Sequence, residues 1–132
     1  MTRFLIAAAF VLATLSAASA ASVTVTGTDF LQTIKQLDGS DFTDQSGKPI
    51  TLSLQAVCEN ALLATYQDEQ NLTGEEKVKR YAIALKIHEH PMDAALSVEE
   101  VAMVKRLIAK SYNPLITGQS WRILDPGSMP KP

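Results

Sequence analysis

The chain has 132 residues, of which 46% are hydrophobic and 20% are charged, and this ordinary composition fits one globular domain. The 12 basic and 14 acidic residues give a net charge of −2, which argues against a nucleic-acid-binding protein. The single cysteine, Cys58, excludes an intramolecular disulfide bond, so the hydrophobic core alone has to hold the domain together.

The first twenty residues have the features of a secretory signal peptide. Arg3 supplies a positive charge, residues 4–15 form an apolar run, and Ala18-Ser19-Ala20 is a small-residue cleavage pattern. The apolar run is too short to cross a bilayer comfortably. We therefore predict a signal peptide at residues 1–20, with export to the periplasm or the medium and no stable membrane span after cleavage. Residues 21–132 are predicted to form a single small helical domain with a flexible N-terminal leader and a C-terminal tail.

The N-terminal part of the exported chain contains short β-type patterns. Residues 21–29 alternate small and β-branched residues, which fits either a strand or a flexible leader, and residues 30–37 fit a helical turn or a strand equally well. Turn signals at residues 38–41 and 45–49 follow. Because Phe42-Thr43 and Ile50-Thr51-Leu52 flank the second turn, we predict a β-hairpin there.

The remainder of the chain is typical of helices. Apolar residues recur at helical spacing from Ser53 to Tyr66. Two capping boxes, Thr73-Gly74-Glu75-Glu76 and Ser97-Val98-Glu99-Glu100, each predict a helix start. Pro91 predicts that the first of these helices ends near His90. Asn113-Pro114 predicts that the second ends near Tyr112 and that a last helix runs to about Leu124.

These elements predict a mainly α fold, namely a small bundle of three to four helices with a minor N-terminal β-hairpin. In the helix after Thr73 we expect the inward stripe to contain Val78, Tyr81, Ala82, Leu85 and Glu89, with Ile83 and Ile87 widening it. The predicted core of the domain is Val57, Cys58, Ala61, Leu62, Val78, Ala82, Leu85, Val101, Val104, Ile108, Leu115 and Trp121.

No residue pattern in the chain predicts catalysis, a cofactor or a metal centre. His88, His90 and Met92 are too few for a metal site without a distant ligand. Cys58 lies on an apolar helical face, which indicates a buried, inert thiol. The acids between residues 38 and 44 fall in a turn-rich segment and do not match a calcium-binding loop. We expect a non-enzymatic protein.

Charge is distributed unevenly along the chain. Residues 21–76 contain nine acids and two bases, whereas residues 77–132 contain nine bases and five acids. This asymmetry fits either solvated helix faces or a polarised surface that orients a partner. Under the second hypothesis the partner-facing residues are Lys79, Arg80, Lys105 and Arg106.

Several segments between Leu52 and Leu124 carry a resemblance to a known class of proteins. They are Asn60-Ala61-Leu62-Leu63, Gly74-Glu75-Glu76-Lys77-Val78-Lys79-Arg80, Ser97-Val98-Glu99-Glu100-Val101, Lys105-Arg106-Leu107-Ile108-Ala109-Lys110, Pro114-Leu115-Ile116 and Gly118-Gln119. In these segments the chain resembles small phage and prophage proteins that act as non-enzymatic accessory or assembly factors. The resemblance implies a protein partner and a virion-associated location as an alternative to export.

Two functions follow from the sequence. The first is a protein–protein interaction module, a phage-type accessory or structural protein whose partner is another protein, with self-association included. The second is an exported cell-envelope protein that binds a small ligand or inhibits another protein. The exported start favours the second function, and the resemblance of residues 52–124 favours the first.

Overall fold

The computed structural model describes residues 24–130, with side chains from residue 27 onward, and four α-helices form within this range. Helix α1 spans Leu54–Leu63, α2 spans Gly74–Glu89, α3 spans Val98–Ser111 and α4 spans Pro114–Leu124. The predicted signal peptide lies outside the described residues. Within them, no helix is long and apolar enough to cross a membrane.

Three short antiparallel sheets, each of two strands, accompany the helices in the described range. Strands β3 (Phe42–Thr43) and β4 (Pro49–Ile50) form the predicted hairpin. The other two sheets are long-range pairings that the sequence did not predict. They join β1 (Thr24–Thr28) to β6 (Ala94–Ser97) and β2 (Thr33–Ile34) to β5 (Leu52–Ser53). The described residues therefore combine four helices with small two-stranded antiparallel sheets, and the strands extend beyond the single predicted hairpin.

The capping signals locate the helix ends correctly. At Ser97 the capping box is complete, because the hydroxyl accepts a hydrogen bond from Glu100 N at 3.1 Å and Ser97 N donates to the Glu100 carboxylate at 2.9 Å. At Thr73 the hydroxyl accepts from Glu76 N at 3.2 Å, but the Glu76 carboxylate lies 3.8 Å from Lys79 Nζ instead of returning to the cap. Asn113 caps α4 through its side-chain oxygen.

Helix α1 ends earlier than predicted. Its last residue is Leu63, because Ala64 has extended backbone angles. Tyr66 then turns back, and its hydroxyl donates to Ala61 O at 2.6 Å, which satisfies a carbonyl in the last turn of the helix. The chain next forms a 3₁₀ turn at Gln67–Glu69 rather than continuing the helix.

Helix α1 is the centre of the core. It packs against both α2 and α3, which make few direct contacts with each other, and α4 packs on α3. The core predictions on α1 and α3 are confirmed, since Val57, Cys58, Ala61, Leu62, Val101, Val104 and Ile108 are all buried. The other large buried residues were not in the predicted core list, although Ile83 and Ile87 were expected to widen the inward stripe of α2. They are Phe30, Ile34, Leu54, Ile83, Ile87, Leu96, Leu107, Ile116 and Leu124.

The predicted inward face of α2 is wrong. Val78 is 65% exposed, Leu85 is 38% exposed and Ala82 is also exposed, whereas Ile83 and Ile87 are buried. The helix has two apolar stripes, one through Val78 and Leu85 and the other through Ile83 and Ile87. They are offset by two positions, which places them about 200° apart on opposite sides of the helix. Contacts with α1 and β6 decide which side faces inward.

The core assignments on α4 are also wrong. Leu115 and Trp121 are only half-buried, and Ile116 and Leu124 take the inner positions. Trp121 stays near the surface because its ring N–H donates to Lys105 O at 3.1 Å, while the ring packs beside the lysine.

Val101 provides a test of the α3 face, since it is 5% exposed. We expect Val101→Asp to lower the free energy of unfolding by several kcal/mol, because it buries an unpaired carboxylate. Val98→Asp is the matched control: Val98 is 50% exposed at the first position of α3, where negative charge is favoured. Thermal melts followed by circular dichroism give both values. Equal melting temperatures for Val101→Asp and the parent protein would show that the face is misassigned.

Candidate interaction surfaces

The four basic residues predicted to face a partner have different surroundings. Lys79 and Arg106 are exposed. Arg80 is only 3% exposed and lies 2.8 Å from the Glu69 carboxylate, which excludes it from any surface. Lys105 binds Asp125 at 3.0 Å and Ser128 at 2.9 Å inside its own chain. A partner role for Lys79 and Arg106 stays a prediction. Arg80 is buried because α2 turns the side opposite to the predicted one toward the core, and Arg80 lies on that side.

The acidic and basic parts of the chain are interleaved in space. Lys110 Nζ lies 2.9 Å from Asp68 and 3.1 Å from Glu69, and His88 Nδ1 lies 3.1 Å from Glu59. Lys110 and Arg80, from the second part of the sequence, therefore pair with acids from the first part. This arrangement favours solvated and paired helix faces over a polarised surface.

A charged cluster closes the end of α1. The Tyr66 ring lies 4.8 Å from Lys110 Nζ and 5.9 Å from the Arg80 guanidinium carbon, and Glu69 sits between the two bases. The Tyr66 hydroxyl also contacts Leu107 O and the Ser111 hydroxyl, so it links α1 to α3. The cluster fastens the 3₁₀ turn to α2 and α3.

The electrostatics of the cluster favour its ionised form. Burial acts to raise the pKa of Glu69, but its close pairing with the charges of Arg80 and Lys110 holds that pKa below its ordinary value of 4.5. The hydrogen bond from Lys110 likewise lowers the pKa of Asp68. A lowered pKa in the folded state stabilises the fold above the ordinary pKa, and that contribution is lost as the pH falls below it.

A cavity of about 500 Å³ adjoins this cluster, between the end of α1, the 3₁₀ turn and the start of α2. Leu63, Leu72 and Lys77 line it together with Tyr66 and Arg80. Two buried atoms of the ion pair, Arg80 Nε and Glu69 Oε2, have no hydrogen-bond partner. The 2.8 Å contact is therefore an ion pair with poor hydrogen-bond alignment, and the Arg80 charge is compensated within the chain.

An exposed apolar area lies on the outer side of α2. Val78 is 65% exposed, Tyr81 is 58% exposed and Leu85 is 38% exposed, and all three share one side of the helix. Leu63, at the end of α1, is 59% exposed and borders the same groove of about 130 Å³ as Tyr81 and Leu85. We refer to Leu63, Val78, Tyr81, Ala82 and Leu85 as the outer face. Its apolar side chains have no covering within residues 24–130.

Several residues that were considered for chemistry have structural roles. Cys58 is 0% exposed, and burial raises the pKa of its thiol, which confirms that it is a core residue. Asp38 and Asp44 accept hydrogen bonds from Ser40 and Ser46 and stabilise their turns. These hydrogen bonds lower the pKa of each carboxyl group, and the bond from the serine hydroxyl has the largest effect. Among the residues that the structure describes, no group of His, Cys, Asp and Glu could hold a metal ion.

Comparisons with known proteins identify no relative of this chain, so the proposals below are argued from its own surfaces. No family model matches the chain, and neither a curated protein nor a solved structure shows significant similarity to it. The outer face was missed from the sequence because its α2 residues were assigned to the inward stripe of the helix. The available signal was the second apolar stripe through Ile83 and Ile87, which already allowed the opposite orientation of α2.

The charged cluster can be tested by a double-mutant cycle. Glu69→Ala should destabilise the protein by about 3 kcal/mol, because Arg80 then stays buried without its carboxylate. Adding Arg80→Met should recover part of this loss, since it removes the unpaired charge and keeps an apolar side chain of similar length. Urea denaturation measures each variant. Glu75→Ala, at an exposed acid of α2, is the control and should change stability little. A double variant less stable than Glu69→Ala would contradict the assigned pairing.

Proposed function

We propose that the protein is a non-enzymatic protein–protein interaction module whose partner binds the outer face. The observation that carries this proposal is the exposure of Val78, Tyr81 and Leu85 on one side of α2. Leaving such side chains in water forgoes roughly 25 cal/mol for each Å² that could be buried. Contiguous exposed apolar area on a small domain is characteristic of an interaction site.

The chemistry of the outer face suits protein recognition. Tyr81 combines a large apolar ring with a hydroxyl, and tyrosine is among the residues that contribute most to binding energy in interfaces. The groove beside it, between α1 and α2, offers space of about 130 Å³ for a partner side chain. Polar groups at the edge of the groove, Glu59 and His88, supply a rim.

The proposed biological setting has two forms. A phage-type accessory or assembly factor is the first, and the resemblance of residues 52–124 supports it. An exported envelope protein that binds a small ligand or inhibits another protein is the second. The leader supports this form, and so does the cavity near Arg80, whose 500 Å³ falls within the size range of small-molecule sites.

Site-specific photo-crosslinking in the native host tests the interaction proposal. A photoreactive phenylalanine analogue at position 81 or 85 should yield an adduct of discrete mass, because a partner covers these positions. The same analogue at Leu37, which is 94% exposed in a turn outside the outer face, is the control and should yield none. Absence of adducts at 81 and 85, or equal adducts at all three positions, would contradict the proposal.

The two settings differ in the fate of the leader. If the protein is exported, N-terminal sequencing of the periplasmic or secreted form should begin at Ala21, since cleavage follows Ala18-Ser19-Ala20. Replacement of Ala18 and Ala20 by a bulky residue should leave the leader attached. An intact Met1 on soluble cytoplasmic protein would remove the export proposal and favour the phage-type setting.

A further inference from the structure

We infer that the cavity beside Arg80 binds a small zwitterion, namely an α-amino acid with an apolar side chain. Lys77 binds its carboxylate, the carbonyl groups at the end of α1 bind its ammonium group, and Leu63 and Leu72 contact its side chain. The inference rests on the ligand-binding setting of the proposed function. It adds the class of ligand and the residues that hold it, and it is independent of what binds at Tyr81.

The cavity exists because α1 is shorter than the helix it packs against. Helix α1 has 10 residues and ends at Leu63, whereas α2 has 16 residues. Lys77 lies seven residues before Ala84, about two turns, so both are on the inner side of α2. Ala84 is 4% exposed, but Lys77 is exposed. The inner side of α2 therefore extends past the end of α1 and bounds a cavity of about 500 Å³, which is large enough for an amino acid.

The two walls of the cavity have opposite polarity. Residues 62–66 form one wall at the C-terminal end of α1, where the helix dipole is negative, and no base in the last turn of α1 offsets it. Lys77 and Arg80 form the other wall in the N-terminal half of α2, where the dipole is positive. The acids in the first turn of α2, Glu75 and Glu76, do not line the cavity. The field across the cavity therefore favours a molecule that carries both a cationic and an anionic group.

The end of α1 offers free hydrogen-bond acceptors. Helices α2, α3 and α4 each end with a backbone N–H of the capping residue bonded to a carbonyl one turn earlier. Within the described residues, α1 has no such bond, and of its last four carbonyls only Ala61 O accepts a hydrogen bond, from the Tyr66 hydroxyl. Leu62 and Leu63, whose carbonyls accept none there, line the cavity. An ammonium group has three donors and suits such a helix end.

Lys77 is the base whose charge the cavity leaves uncompensated. Arg80 also lines the cavity, but the Glu69 carboxylate lies 2.8 Å from it and balances its charge. In the described part of the chain Lys77 forms no ion pair. None of residues 73, 74, 80 and 81, which lie one turn away from it on α2, is acidic. A carboxylate in the cavity supplies the counter-charge.

The remaining lining selects an apolar side chain. Leu63 is 59% exposed, and Leu72 and the Tyr66 ring are half-buried, although all three line the cavity. An apolar side chain gains by covering this surface, because both sides then lose contact with water. A charged side chain would lose hydration against the same surface without finding a partner.

A titration of the purified full chain with L-leucine, followed by amide chemical shifts, tests the site. We expect saturable shifts centred on residues 62–72 and on Lys77. Lys77→Gln should weaken leucine binding by about tenfold, because a charge-assisted hydrogen bond is lost. Lys79→Gln is the matched control, since Lys79 is exposed and does not line the cavity, and it should leave the affinity unchanged. Absence of saturable shifts at the cavity, or equal affinity in Lys77→Gln and the parent protein, would overturn the inference.

Analogues of leucine test each part of the ligand. Isocaproate lacks the ammonium group, isopentylamine lacks the carboxylate and glycine lacks the side chain, and each should bind about tenfold more weakly than leucine or worse. An analogue that binds as tightly as leucine would show that the missing group is not recognised, and the assignment of a zwitterion with an apolar side chain would be wrong.

The inference and the proposed interaction at the outer face fail separately. Photo-crosslinks at position 81 without leucine binding would overturn the inference and leave the interaction module standing. Leucine binding at the cavity without crosslinks at positions 81 and 85 would support the inference and contradict the interaction at the outer face.

Discussion

The structure depends on the burial of helix α1. Val57, Cys58 and Ala61 are all 0% exposed, and Leu62 is 2% exposed. A helix of ten residues is too short to be stable in water on its own, so α1 has to gain its stability from packing. Helices α2 and α3 supply that packing from two sides. Each of them can therefore turn only one side toward α1, and whatever apolar surface its other side carries stays outside.

This constraint explains the unusual distribution of residues on α2. On its inner side, Ile83, Ala84 and Ile87 pack against the core. One turn earlier, the buried residue on the same side is Arg80. At that level α1 has already ended, and the inner side of α2 meets the 3₁₀ turn Gln67–Glu69. The buried guanidinium is tolerated because Glu69 lies within 2.8 Å of it. A buried ion pair of this kind positions elements more than it stabilises them, since the loss of hydration offsets the attraction.

The proposed function depends on the outer side of α2, which faces solvent because the opposite side packs on the core. An apolar side chain that faces water retains the hydration cost that burial would remove. Among the large apolar side chains exposed in the described part of the chain, Val78, Tyr81 and Leu85 share one side of α2, and Val78 and Tyr81 are more than half exposed. Glu75 and Glu76 lie in the first turn of that helix and Lys86 lies in its last turn, and these charges complement the helix dipole.

Local features were readable from the sequence. The capping residues Thr73, Ser97 and Asn113 and the breaks at Pro91 and Pro114 located the ends of α2, α3 and α4, because caps and prolines act within one turn of the backbone. The hairpin between β3 and β4 was predicted for the same reason, since a short turn brings its own flanks together. The inward faces of α1 and α3 were also predicted, as each helix has a single dominant apolar stripe.

Other features were decided only by the tertiary structure. The pairing of β1 with β6 joins residues about seventy positions apart, and local pattern does not record such partners. Helix α2 has two apolar stripes, so its periodicity allowed two orientations, and only the packing of α1 and β6 selected one. The same choice buried Arg80 and exposed Tyr81. The sequence by itself therefore determined the ends of α2, α3 and α4. Tertiary packing determined which side of α2 faces solvent, because the burial of a face depends on neighbours that are distant in the chain.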